Sequence, residues 1–145
     1  MANALFSAFG EVYKALRARL ARTGIHVGST ADYPRVEIHS IIESEWMDKG
    51  HTMKNISCIV ECISDKRMQD VMDMNEGNLV RMLGEALNLE NGWEVFGLVA
   101  GQLQELTEAT ETKAILYRLL QNVTIYVRQV ARRDDYGLDY SKDFL

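Results

Sequence analysis

The stretch 33-YPRVEIHSIIESEW-46 decides how this chain is read. It holds the only proline, Pro34, and then alternates for a dozen residues. In an extended chain successive side chains point to opposite faces. Val36, Ile38, Ser40 and Ile42 then share one face, and Arg35, Glu37, His39, Ile41, Glu43 and Glu45 share the other. The pattern predicts a half-buried strand, with one face in a core and one polar, mostly acidic wall. Proline suits the entrance of such a strand, where its missing N–H does least harm.

Working outward, "MDKGHTMKN" (47–55) reads as a turn or extended hairpin loop around Gly50, and residues 55–63 as the returning strand. Ile56, Cys58, Val60 and Cys62 fall on its apolar face. The two cysteines would lie about 13 Å apart along such a strand, too far for a disulfide. They read as small buried hydrophobes in a reducing compartment.

Upstream, residues 3–22 predict an amphipathic helix with the stripe Leu5, Phe9, Val12, Leu16 and Leu20, Asn3 as cap and Gly24 as stop, before a loop over 24–32. Downstream, residues 65–88 predict a second helix, capped by Ser64 or Asp65, with a stripe of Met68, Val71, Met72, Leu79, Met82, Leu83, Ala86 and Leu87. Residues 123–128, "VTIYVR", alternate β-branched and aromatic residues with polar ones. Two long antiparallel strands, about 94–107 and 114–130, follow from this, although Leu98, Leu103 and Leu106 also permit a helical start. The order helix, strand, strand, helix, strand, strand gives an α+β fold: an antiparallel sheet of about four strands with two helices packed on it.

A length of 145 residues suits one domain, placed at 1–130, followed by a charged tail at 131–145. The net charge of −5 argues against a nucleic-acid coat, which needs concentrated lysine and arginine. The charge is uneven. Residues 2–22 carry Lys14, Arg17, Arg19 and Arg22 against Glu11 alone, whereas residues 23–130 carry 9 basic and 16 acidic residues. Opposite signs on one chain suit head-to-tail self-association. The opening residues lack the basic lead of a signal peptide, and no apolar run approaches membrane-spanning length.

Chemistry-bearing motifs are sparse. His26, His39 and His51 form no HExxH and no close ligand spacing with cysteine or carboxylate. There is no GxSxG, and the glycines of "GNLVRMLGEA" (77–86) lack the lysine of a phosphate loop. No cofactor or metal is expected. His39 with Glu37, Glu43 and Glu61 could gather as an acid–base or metal site on one sheet surface, which is the enzymatic or small-molecule-binding alternative.

Three features together resemble the tail-terminator (tail-completion, tail-to-head joining) proteins of tailed bacteriophages. They are the "YPRVEIHSIIE" strand entry after a loop, the strand "ISCIVECIS" leading into a helix, and the closing pair "AILYRLLQNVTIYVRQ". The resemblance covers about residues 3–130. It implies a non-enzymatic virion protein, made in the bacterial cytoplasm, that forms a ring, commonly a hexamer, at the head-proximal end of the tail. Its partners would be its own copies, the tail tube protein and the head connector, with DNA passing through unbound and no membrane involved. A head-closure or other neck protein is the near alternative. On this reading Glu37, Glu43, Glu45 and Glu61 would line the lumen. Lys14, Arg17, Arg19 and Arg22, with Tyr136, Tyr140 and Phe144 of the tail, would contact neighbouring subunits.

Overall fold

The computed structural model describes residues 7–21, 25–28, 32–48 and 51–130. The elements are α1 (Ala8–Ala21), β1 (His26–Val27), β2 (Arg35–Asp48), β3 (His51–Ser64), α2 (Met68–Leu83), β4 (Trp93–Ala109) and β5 (Ile115–Gln129). The fold is α+β. Four long strands pair antiparallel, and the short β1 adds a parallel edge to β2, giving the order β1-β2-β3-β5-β4. The predicted loop over 24–32 thus contributes two residues to the sheet, secured by the Gly28 amide donating to the Val36 carbonyl at 2.8 Å.

Both helices lie on one face of the sheet. Ile56, Cys58, Val60 and Cys62 of β3 meet Leu119, Val123, Ile125 and Val127 of β5 there, under Val12, Leu16 and Leu20 of α1 and Val71, Met74 and Met82 of α2. Each buried aliphatic side chain of this kind contributes about 1.5–3 kcal/mol.

The helices present different arcs from those the sequence predicts. In α1, Ala8 is buried and Phe9 is 39% exposed, so the stripe runs 8, 12, 16, 20. Ser7 opens the described helix, its hydroxyl accepting from the Gly10 amide at 3.1 Å, as an N-cap serine does. Asn3 and Gly24 lie outside the described residues. In α2 the buried positions are Val71, Met74, Asn75, Asn78 and Met82, while Met72 and Leu83 are exposed. The helix is shorter than 65–88, and Arg67 rather than Ser64 or Asp65 occupies the cap position. Ser64 instead accepts from the Lys66 amide at 3.1 Å.

Two asparagines sit in the core because the sheet offers partners. Asn75 donates to the Gln121 side chain at 3.3 Å and Asn78 to the Cys62 sulfur at 3.3 Å. The Gln121 amide in turn reaches the carbonyls of Gly101 and Asn122, both at 3.0 Å. It thereby ties down a β4 bulge where Gly101 and Gln102 stand between the Ala100–Val123 and Leu103–Gln121 pairs.

Candidate functional site

The second face of the sheet carries no helix among the described residues. A row of charged side chains crosses it from β2 to β4. His39 Nε2 lies 2.7 Å from Glu61 Oε1, and its Nδ1 lies 2.8 Å from the Ser40 hydroxyl. Glu61 is buried and also accepts from Arg118 at 2.8 Å, and Arg118 reaches Glu108 of β4 at 3.3 Å. Burial opposes the Arg118 cation, but Glu61 and Glu108 outweigh it and hold its pKa above the ordinary value. Arg35 pairs with Glu37 at 2.7 Å, and Arg128 with Glu94 at 2.9 Å. Strand alternation puts Glu37, Glu61, Glu94 and Glu108 together with Arg35, Arg118 and Arg128 on this face, so its carboxylates lie among guanidinium groups.

The four glutamates read from the sequence as one face are split. A β-bulge lies between His39 and Ile42, where Ser40 has a left-handed φ of 54°. Ser40 and Ile41 together oppose Cys58, so every later residue of β2 changes sides. Glu37 and Glu61 stay on the open face. Glu43 and Glu45 turn to the helix side, where both bind Lys54, at 3.2 Å and 3.4 Å. Lys54 also lies 5.3 Å from the centre of the Trp93 ring. Ile42, assigned to the core by the alternation, is 71% exposed, and Ile41 packs against the core instead.

The basic helix is divided as well. Arg19 is buried and donates to the carbonyls of Arg81 at 2.9 Å, Glu85 at 2.7 Å and Ala86 at 2.9 Å. It satisfies an orphan carbonyl of the last turn of α2 and two just beyond its end, and is not available to a neighbouring subunit. Lys14 and Arg17 are exposed. Arg22, Tyr136, Tyr140 and Phe144 lie outside the described residues.

Arg118 and Glu108, which complete the open-face row, carry no motif in the sequence, whereas the alternation of β2 already sets Arg35 on that face. The alternation of β5 carries the signal for Arg118, since its parity sets it with Thr124 and Tyr126 and away from the apolar positions.

No group of three or more His, Cys, Asp or Glu is arranged to hold a metal ion among the described residues. Cys58 and Cys62 are free and buried, and burial pushes their thiols up to about 11 and about 12. A groove of about 320 Å³ runs between Met82, Leu83 and Leu87 on one side and Val95 to Leu98 on the other. A larger hollow of about 590 Å³ opens near Pro34, Arg67 and Asp70. Neither includes His39 or Glu61. No described helix is long and apolar enough to cross a membrane.

No family model matches the chain, and no curated protein matches it. Among solved structures, its fold is similar to that of a chain in the virion of a native gene transfer agent (GTA) particle. The TM-score is 0.62 at 18% identity, and the match covers 83% of this chain and 94% of that one.

Proposed function

We propose that this chain is a structural protein of a phage-like virion. In that role it forms a ring at the head-proximal end of the tail, capping the tube and joining it to the head connector. The observation that carries this reading is the fold shared with almost the whole of a chain from a gene transfer agent virion. The molecule's own features agree with it. A sheet face on which no described helix packs, a long outer strand β4 and a helix with exposed cations are what a subunit offers when its partners are other proteins.

The open face is the proposed lumen wall, with Glu37 and Glu61 the two remaining candidate glutamates. Its carboxylates are paired and its guanidinium groups are held by carboxylates. DNA would therefore slide past because no concentrated positive charge holds it, rather than because of strong repulsion. Lys14 and Arg17 are the cations proposed for the subunit interface, and the aromatic tail residues Tyr136, Tyr140 and Phe144 for docking on a neighbour. The ring is proposed as a hexamer within the virion, its partners the tail tube and the head connector. Residues 1–130 are proposed as its single domain.

Light scattering across concentration, with negative-stain microscopy of the same sample, tests the ring. Closed annuli support it. A monomer both alone and with added tail tubes removes it. Capping of purified tail tubes, against binding to isolated head connectors alone, separates the tail-end role from a head-closure role.

A further inference from the structure

We propose that the distal β4–β5 arm is a docking surface for α1 of a second copy of this chain, in a head-to-tail contact. This rests on the ring reading above and specifies its interface.

The helix layer stops short of the arm. α2 meets β4 near Val95 to Leu98, and from residue 101 to residue 109 every β4 side chain is exposed. Pairing with Gln121, Leu119 and Tyr117 sets Leu103, Glu105 and Thr107 on the helix side of the sheet, where Leu103 is 49% exposed. A sheet face of this kind is ordinarily closed by a helix, as the rest of the same face is. Exposed apolar side chains beside acidic ones mark a site for a partner.

The solvent face of α1 has the matching chemistry. Gly10, Lys14, Arg17 and Ala21 are exposed at steps of three or four residues, with the exposed Ala18 beside them four residues after Lys14, so they form one face. It carries two cations and several small side chains, with the half-buried Glu11, which accepts from the Glu90 amide, at its border. On that side of the arm β4 carries Glu105 and no lysine or arginine, and the turn adds Glu111 beside Lys113, while Glu94 and Glu108 lie on the open face with Arg128 and Arg118. Charge therefore directs the arm to the helix.

The placement suits a repeating assembly. α1 packs beside β1, β2 and β3, while the arm belongs to the opposite side of the sheet order. A contact between two different patches on opposite sides is heterologous, and repeated it closes a ring or runs on as a filament. In the assembly, Glu105 and the arm-tip Glu111 would face Lys14 and Arg17 of the next copy, and Leu103 would cover Ala18.

Charge exchange tests this. Lys14→Glu with Arg17→Glu, and separately Glu105→Lys with Glu111→Lys, are each expected to return the scattering mass to that of the 16.5 kDa monomer. Combining all four substitutions in one chain is expected to restore assembly. Circular dichroism verifies that each variant is folded. A disulfide between copies carrying Ala18→Cys and Leu103→Cys is expected under mild oxidation, since the native cysteines are buried. If the wild type forms rings and neither charge variant alters them nor the disulfide forms, the contact is wrong and the ring reading stands. If the wild type stays monomeric at every concentration, both with and without tail tubes, the ring reading and this contact fail together.

Discussion

β4 and β5 belong to one hairpin, pair over most of their length and are nearly equal in size, yet they live in different environments. β5 alternates between buried and half-buried along almost every residue, because β3 lies on one side, β4 on the other and α2 above. β4 has one neighbour, and its distal half is exposed on both faces. The difference shows that the hairpin serves two purposes. Its inner strand holds the domain together, while its outer strand offers surface.

The largest expected effect comes from matched truncations. Ile125→Ala in β5 is fully buried and is expected to cost about 2–5 kcal/mol, whereas Leu106→Ala in β4 should stay within about 0.5 kcal/mol. Urea unfolding of the two variants measures both, and equal losses would dissolve the distinction between the strands.

Next is Arg19→Ala, which leaves three carbonyls at and after the C-terminus of α2 without their donor. A loss of about 2–3 kcal/mol is expected, against less than about 0.5 kcal/mol for the exposed Arg17→Ala, in the same unfolding assay.

Glu61→Gln is smaller again. It removes the charge that His39 and Arg118 share, and Arg118 keeps Glu108, so about 1–2 kcal/mol is expected. If Glu61 were catalytic rather than structural, the variant would leave stability unchanged.

The last effect is absent at neutral pH. The folded state holds the Cys58 and Cys62 thiols at about 11 and about 12, above their ordinary 9.0. Below about pH 9 their contribution is complete. As pH rises from 9 through 11 to 12, the unfolded chain releases protons that the folded chain keeps, and stability falls. Urea midpoints at pH 8 and pH 10.5 should differ less in the Cys58→Ala, Cys62→Ala variant than in the wild type. Both thiols should also resist a thiol reagent at pH 8 until the protein unfolds.

Much of the architecture was legible. Strands expected at about 94–107 and 114–130 form at Trp93–Ala109 and Ile115–Gln129, since β-branched alternation carries information about backbone and burial together. Both cysteines lie in the core, as their place on one alternating face with Ile56 and Val60 implied. The arcs of the helices were less readable. A hydrophobic stripe cannot count Asn75 and Asn78 as core, because their burial depends on Gln121 and Cys62, which lie far away in sequence.

The candidate site depended most on what sequence periodicity does not carry. Alternation fixes faces only while pairing remains regular. One extra residue at Ser40 and Ile41 reverses every later position, moving Glu43 and Glu45 to the helix side. Serine is not the usual residue at a left-handed φ, so nothing in the string marked the bulge. Arg19 is similar: in sequence it is one more cation on a basic helix, and only the arrival of α2 gave it three carbonyls. By itself the sequence determined the two helices, the four long strands and their order, because local periodicity reports them. The tertiary structure decided which charges are paired, buried or available, because those outcomes depend on residues brought together from different strands and helices.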